Sequence, residues 1–481
     1  MFEVFLENLL SYSCIQARGR SLQFFKTEPW FSFDFFHLSI VDLLEWIDRL
    51  ICSNDDMIPS HVYMVGIGGI GMSALAQLLK HQGKQVSGSD REESPTTKLL
   101  AEKGISVSIG HDSCNIPADA ELLIYSDAVW PDNLERMRAK EMEIPEKSYF
   151  EALGIVSKNM RTIAVTGTHG KTTTTGMLAA ILRHAGKDPS AIVGSIVSDF
   201  GSNYLEGRDD LLVVEACEYK DHMLKLSPEI LVITNAEWDH TDYFPSLEIM
   251  LESFNKAALA VPTNGAVVAV LHGPNMETVL NSVKARIVDY TKEEVPQLRL
   301  LGEFNRENAR AAKAAARAAF PDISESVADE TLSKFKGTWR RFEYKGETPN
   351  GAQVYDDYAH HPTAIEKTLN AVREKFPDKK IVVAFHAHLY SRTRDLMKGF
   401  GESLAKADEV IIAPIYPARE EPIPGVTNHT LADAVSAEGG NAHALDSFDD
   451  IRKALLKYDS DTLIITMGAG DIYKVAEQIT D

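Results

Sequence analysis

The 481-residue sequence has only four cysteines, Cys14, Cys52, Cys114 and Cys217, and no two form a C-x-x-C pair. That scatter supports neither a disulfide framework nor a zinc cluster, and it fits a reducing cytoplasm. No run of 18 apolar residues occurs, so no transmembrane helix is expected. The most apolar stretch, Trp30 to Ile51, is broken by Asp34, His37, Asp42, Glu45, Asp48 and Arg49. It also lacks the basic start, unbroken apolar run and small-residue cleavage site of a signal peptide. Positive charge is in deficit: 49 Lys and Arg against 70 Asp and Glu give −21. No global basic field exists for nucleic acid, and neither nucleic acid nor membrane is expected as a partner. Anion sites must therefore be built from loops, helix N-termini and a few placed cations. No fixed-period repeat is present, which excludes a solenoid.

The rest is ordinary globular protein, 44% apolar and 25% charged, long enough for about three domains. One rhythm returns three times: a short β-branched run, a glycine-rich turn, then a helical pattern. It predicts parallel α/β sheets. The first cluster spans His61 to Asp127, the second Thr162 to Val270 and the third Lys380 to Asp471. Boundaries are placed near 157 and 341, giving segments 57–157, 158–341 and 342–481. Residues 1–56 are aromatic-rich and break the rhythm. They read either as an accessory helix or as an extension upstream of a natural start at Met57.

Gly66-Ile67-Gly68-Gly69-Ile70-Gly71 matches G-x-G-x-x-G between a strand and a helix. Its glycines let the backbone approach a diphosphate seated on the helix N-terminus. Asp90 follows where an acid would meet a ribose hydroxyl. A nicotinamide dinucleotide and a UDP-sugar would use this turn in the same way, and the loop alone does not choose.

Thr166-Gly167-Thr168-His169-Gly170-Lys171-Thr172-Thr173 follows an apolar run and opens a helical pattern. It is a short phosphate loop. Backbone N–H groups cradle the phosphates, Lys171 reaches the terminal ones, and the Thr172 hydroxyl suits Mg²⁺. Glu215 ends the next strand, with Glu218 just beyond. His240 follows the strand after that. Ligands of open sheets sit off such strand ends, so Thr172, Glu215 and His240 are the expected metal ligands, His240 for a second ion.

Taken together, GIGGIGMS (66–73), TGTHGKTTTT (166–175), VVEACEYKDHMLKLSPEI (213–230), ITNAEWDHTDYF (233–244), RRFE (340–343), YDDYAHHPT (355–363), YSRTRDL (390–396), YPAREEPIPG (416–425) and MGAGDI (467–472) resemble the Mur ligases. The resemblance covers roughly residues 58–478 in the family's order. It implies three domains: a Rossmann-like UDP-binding domain, a central P-loop-type ATPase with a mostly parallel sheet, and a C-terminal Rossmann-like domain that brings the amino acid. The branch it points to joins L-alanine to UDP-N-acetylmuramate with ATP and Mg²⁺, through an acyl phosphate, in cytoplasmic peptidoglycan precursor synthesis. A monomer or weak homodimer is expected. The alternative is the recycling branch, which attaches a murein tripeptide to the same sugar nucleotide. Its first loop reads more like GICGTFM than GIGGIGMS. A nicotinamide-dependent oxidoreductase would leave the 166–172 loop, Glu215 and His240 unexplained.

The same resemblance implies residue roles. Lys171, Glu215, His240 and His361 are expected as catalytic groups, with His360 next to His361 beside the reacting centre. Thr168, His169, Gly170, Lys171, Thr172, Thr173, Asn308, Arg341 and Asp357 are expected around ATP. Gly68, Gly69, Ile70, Gly71, Ser73 and Asp90 fall on the UDP side and Asn203 on the muramoyl side. His388 and Arg392 fall on the amino-acid side, where a guanidinium suits a carboxylate. Asn305 reads equally as an adenine contact or a helix cap, and Arg340, Arg394 and Glu421 as surface ion-pair partners. Phe304 replaces a histidine common in the family, and Leu389 replaces an arginine near the amino-acid pocket. Lys256 reads as an ordinary exposed lysine, the carbamate of sister ligases being the alternative. Because ATP and the amino acid are met by different domains, domain closure is expected.

Overall fold

The computed structural model describes residues 15–18, 21–24, 57–418 and 420–480. The chain forms two compact units, Met1–Ile58 and Pro59–Asp481. In the first, strands Ile15–Arg18 and Ser21–Phe24 pair antiparallel, with Arg18 opposite Ser21. The accessory-helix reading of this stretch otherwise lies outside the described residues.

The second unit holds three sheets. The first is all parallel, in the order Ser106–Ile109, Gln85–Asp90, His61–Val65, Leu122–Tyr125, Glu146–Ser148. The second has seven strands: Ser202–Leu205, Pro189–Val197, Arg208–Glu215, Arg161–Thr166, Ile230–Ile233, Ala266–Ala269 and Arg286–Asp289. Only the Ser202–Leu205 edge is antiparallel. The third runs Glu343–Glu347, Gln353–Asp357, Thr462–Met467, Lys380–Phe385, Glu409–Ile412, Ala442–Ala444, again with one antiparallel edge, Glu343–Glu347. Doubly wound α/β architecture is thus observed in all three.

The central strands explain the short apolar runs. Parallel strands are covered on both faces, so they read as continuous rather than alternating apolar sequence. Ile163, Val165, Val213 and Val232 are fully buried, each contributing about 1.5–3 kcal/mol by burial. The alanine-rich helix Glu303–Ala319 packs against helix Lys171–His184, its buried alanines allowing close approach. Helix starts are encoded locally. Ser148 caps Tyr149–Lys158 in a reciprocal box with Glu151, and Ser94 caps Pro95–Glu102 with Pro95 in its first turn. Among the described residues, no helix is long and apolar enough to cross a membrane.

Candidate active site

Strand Arg161–Thr166 lies between Arg208–Glu215 and Ile230–Ile233, where the strand order of the second sheet reverses. Ligands of open sheets bind off strand ends at such a switch point. Residues 167–170 turn there into helix Lys171–His184. Two of its glycines are required. Gly167 has φ +133°, and a Cβ on it would sit 2.1 Å from Thr234 Oγ1; Gly170 has φ +81°, and its Cβ would meet Asn308 Oδ1 at 2.2 Å. The loop is pinned from the neighbouring strand end. The His169 N–H donates to Asn235 Oδ1 at 2.9 Å, and the Thr168 hydroxyl to the Glu237 carbonyl at 2.8 Å. No side chain caps the helix, so its first-turn amides and positive end face the loop, as anion binding requires.

Lys171 Nζ lies 3.0 and 2.9 Å from the two carboxylate oxygens of Glu218, which is wholly buried. Burial alone would pull the Lys171 ammonium down, but the negative groups around it, Glu218 foremost with Cys217 and Glu215, together outweigh burial and raise its pKa. Burial opposes ionisation of Glu218 as well, yet Lys171 and His240 hold it at about 2. His240 Nε2 is 3.2 Å from Glu218 Oε1. A carboxylate only accepts, so Nε2 carries a proton, while Nδ1 is buried with no hydrogen-bond partner. His240 also sits at φ +52°, a strained backbone for a histidine.

The Thr172 hydroxyl donates to Glu215 Oε1 at 3.0 Å, while Glu215 Oε2 accepts from the Gly194 N–H at 2.7 Å. Arg341 Nη2 reaches the same hydroxyl at 3.2 Å. Thr172 and Glu215 therefore make a hard-oxygen pair of the kind Mg²⁺ takes. Among the described hydrogen bonds none joins His240 to either of them; it belongs with Glu218.

Asn308 Nδ2 donates to Asn305 Oδ1 at 3.2 Å, and Asn305 Nδ2 to the Leu301 carbonyl at 2.7 Å. Asn305 is not the cap: Gly302 holds that position, at φ +88°. The Asp357 carboxylate accepts from the N–H groups of Phe342 and Ala359 at 2.8 and 2.7 Å. Burial pushes its pKa up to about 6, with Arg341 opposing. Arg340 corrects the surface expectation. It is 3% exposed, and its guanidinium binds Asp356. Arg394 is the surface partner expected, paired with Asp395, and Lys256 lies exposed in helix Leu247–Leu259.

The first glycine loop opens helix Ile70–His81 with Gly69 at its cap. Asp90 Oδ2 accepts the Gly68 N–H at 2.8 Å, and a Cβ on Gly71 would strike the Tyr149 ring at 2.7 Å. Ser73 and Asn203 pack against each other. They are 0% and 1% exposed and bond each other at 2.9 Å, with Asn203 also donating to the Ile70 carbonyl. They join the first sheet's helix to the edge of the second sheet, and this packing buries their polar atoms.

On the third sheet, Arg392 Nε donates to Asp239 at 2.8 Å, and its Nη1 lies 3.2 Å from His388 Nδ1. Burial disfavours the Asp239 carboxylate, yet Arg392 holds its pKa well below the usual range. The His388 ring stacks on Tyr416. Leu389 is buried at φ +73°, so a side chain other than a cation fills that position. Both ring nitrogens of His361 are occupied. Nδ1 accepts the Thr363 N–H as the cap of helix Pro362–Lys375, so Nε2 is the protonated nitrogen, 3.2 Å from the Trp238 carbonyl. Burial, then His169, lowers its pKa to about 4. The His361 ring thus serves a helix cap and an inter-sheet contact where it borders the cavity. His169, Glu237 and His361 bring ligand-type atoms within 4.8 Å of one another, but the same two bonds occupy the His361 ring. His360 differs. Its Nδ1 donates to the Tyr358 carbonyl at 2.9 Å, which leaves Nε2 with a lone pair, and burial then Arg392 hold the ring neutral.

These groups line one cavity of about 520 Å³. Ile70, the 168–173 loop, Glu215, His240, Asn308, Arg341, Asp357 and His361 all border it. Gly68, Gly69, Gly71, Ser73, Asp90, Asn203, His388 and Arg392 do not. Sequence reasoning passed over Glu218, Glu237 and Tyr358 as site residues. Glu218 stood three positions past a chosen carboxylate, and its strand-end position was the available signal.

Three doubly wound modules, with a phosphate-binding loop on the middle one and a cavity walled by all three, define a nucleotide-using ligase architecture. The family models describe its parts. "Mur ligase family, catalytic domain" matches residues 61–161, "Mur ligase middle domain" 165–297, and "Mur ligase, glutamate ligase domain" 340–470. The UDP-N-acetylmuramate–L-alanine ligase of Caldicellulosiruptor saccharolyticus is 38% identical over 450 residues, 87% of this chain and 98% of that one. The Salinibacter ruber protein of the same name is 37% identical over 451 residues, 87% and 94% of the two chains. Among solved structures, the Thermotoga maritima UDP-N-acetylmuramate–alanine ligase superposes with a TM-score of 0.72 at 28% identity, covering 87% of this chain and 98% of that one. A murein peptide ligase from Psychrobacter arcticus gives 0.66 at 24% identity, covering 88% and 98%, and shares the fold. The chain belongs to the Mur ligase family.

Proposed function

We propose that this protein joins L-alanine to UDP-N-acetylmuramate at the expense of ATP, in peptidoglycan precursor synthesis. The single observation that carries the reading is the 166–173 loop. Lys171, Thr172 and Glu215 meet there at the mouth of a cavity whose far wall comes from the third sheet. The recycling-ligase alternative is less favoured, because the chain's full-length relatives at 36–38% identity are alanine-adding ligases.

A carboxylate is a poor electrophile at neutral pH. Transfer of the ATP γ-phosphoryl group to the lactyl carboxylate gives an acyl phosphate and ADP. The alanine amine then attacks the acyl carbon, the C–O bond to phosphate breaks, and inorganic phosphate leaves as the amide forms. Lys171, Arg341 and the helix N-terminus would offset charge on the transferring group, the largest expected catalytic contribution. Thr172 and Glu215 would hold Mg²⁺, which supplies further charge neutralisation at the phosphates. Arg392 would orient alanine by its carboxylate. His360 Nε2, neutral and carrying a lone pair, is the group suited to accept a proton from the amine. The test is phosphate release from ATP with UDP-N-acetylmuramate, run with alanine, serine, glycine and the murein tripeptide in turn. Alanine-dependent release supports the reading; release only with the tripeptide would replace it with the recycling activity.

A further inference from the structure

Residue 340 is where the chain passes from the second sheet to the third. Up to Trp339 the linker is tied to the second sheet. The Trp339 N–H donates to the Ile196 carbonyl at 2.8 Å, the Trp339 carbonyl accepts the Ser195 hydroxyl at 3.0 Å, and the Ser198 N–H donates to the Gly337 carbonyl at 3.0 Å. Arg340 is tied to the third. Its Nε donates to Asp356 Oδ2 at 2.7 Å, Nη1 to the Gly470 carbonyl at 3.0 Å and Nη2 to the Gly468 carbonyl at 2.6 Å. Its own carbonyl accepts the Tyr358 N–H at 2.7 Å. Asp356 is held in turn by the Thr466 hydroxyl at 2.6 Å. Arg341 then reaches back to Thr172 on the phosphate loop.

A guanidinium buried this deeply is costly unless its donors are satisfied. Here they are spent on a carboxylate and two carbonyls of the 468–470 turn, and Gly470 and Tyr358 both line the cavity. The backbone at Arg340 is left-handed, φ +60°, so the chain turns sharply between the two anchorages.

We propose that Arg340 is a positioning residue for the ligase reaction. Fixed in the third sheet, it sets the direction in which Arg341 meets the phosphate loop and holds the 468–470 turn as the facing wall. The Trp339–Arg340 junction is the pivot between them. This rests on the ligase reading above.

Glycine accepts φ +60° without strain, so Arg340→Gly removes the anchor and leaves the turn free to form. In that variant kcat should fall about 100-fold, the scale expected when catalytic groups shift by an ångström. KM for UDP-N-acetylmuramate should stay within about twofold, because that substrate is held by other modules. Arg340→Lys keeps the charge opposite Asp356 but not the planar fork, and should recover part of kcat. In the free protein, amide hydrogen exchange of residues 467–471 should quicken in Arg340→Gly while that of 161–166 is unchanged. Wild-type kcat in Arg340→Gly, loss of kcat and of sugar-nucleotide KM together, or unaltered exchange at 467–471 would each overturn the proposal. Failure of the ligase reading shows separately, as no alanine-dependent phosphate release by the wild type; the exchange measurement then still decides whether Arg340 anchors the turn.

Discussion

Arg392 and Asp239 face each other across two sheets at 2.8 Å, and neither side chain is more than 5% exposed. Asp239 follows strand Ile230–Ile233 of the second sheet, and Arg392 lies on helix Tyr390–Asp395 of the third. The guanidinium proposed to clamp alanine is thus also a tie between modules. Its Nε belongs to Asp239 and its Nη1 to His388, so Nη2 is the donor group left for a substrate carboxylate among the described hydrogen bonds.

Arg392→Lys keeps the charge and loses the fork. KM for alanine should rise at least about tenfold, with KM for ATP little changed, because a point charge cannot serve both carboxylates. Asp239→Ala leaves a buried guanidinium uncompensated and should cost about 3–5 kcal/mol of stability. Steady-state kinetics and urea unfolding separate the two effects; equal loss of stability in both variants with no change in alanine KM would remove Arg392 from the amino-acid site.

The phosphate loop was legible in the sequence because its chemistry is local. Glycines, Lys171 and Thr172 act within a few residues of one another, and the flanking strand and helix announce themselves by pattern. Glu215 was legible because strand ends are predictable. What was not legible depends on distant packing. Arg340 looks like any linker arginine until the 468–470 turn, 130 residues away, covers it. Ser73 and Asn203 sit in motifs that suggest ligand contact, yet docking of two modules buries them against each other. The cap that His361 supplies to helix Pro362–Lys375 was not legible either, since the motif alone does not show which ring nitrogen turns back to the Thr363 N–H.

Lys171→Ala should abolish phosphate release, and it should also destabilise the protein, because Glu218 is left buried with His240 alone. Breaking a buried pair costs about 3–5 kcal/mol. Lys171→Ala with Glu218→Gln should restore most of the stability and none of the turnover. Thermal unfolding beside a phosphate assay checks this, and recovery of turnover in the double variant would move the catalytic cation elsewhere.

The Mg²⁺ assignment is tested at Glu215. Chelation by EDTA should stop turnover and excess Mg²⁺ should restore it. Glu215→Gln should raise the Mg²⁺ concentration for half-maximal rate at least about tenfold by removing one anionic ligand. An unchanged Mg²⁺ dependence would place the ion on other residues.

Acid stability carries opposing contributions. The carboxyls of Glu218 and Glu237 are both lowered from 4.5 to about 2, Glu237 by its His169 and Thr363 contacts against burial. Their unfolded forms bind protons first, so their stabilisation is complete above pH 4.5 and is lost as pH falls toward 2. Asp357, raised from 3.8 to about 6 by burial, acts in the other direction: it costs stability above pH 6, and that cost fades as pH falls to 3.8. Urea unfolding of Glu218→Gln should therefore show a shallower fall between pH 4.5 and 2 than the wild type. An identical slope would mean that Glu218 is not held ionised in the fold.

His361 separates capping from catalysis. Its Nδ1 accepts the Thr363 N–H at 3.3 Å at the start of helix Pro362–Lys375. Asparagine is a strong N-cap and alanine a poor one, so His361→Ala should lose about 1 kcal/mol that His361→Asn keeps. Asparagine also offers an amide donor toward the Trp238 carbonyl, but it cannot carry a proton in catalysis. If the ring serves structure, His361→Asn should retain kcat within about tenfold, below the 10²–10⁴ attributed to a general acid or base. His360→Asn should fall in that larger range, because its Nε2 presents a neutral lone pair there. The kinetic readout is kcat across pH 6–9 at saturating substrates; a 10²-fold or greater loss in His361→Asn at wild-type stability would return His361 to the reacting centre.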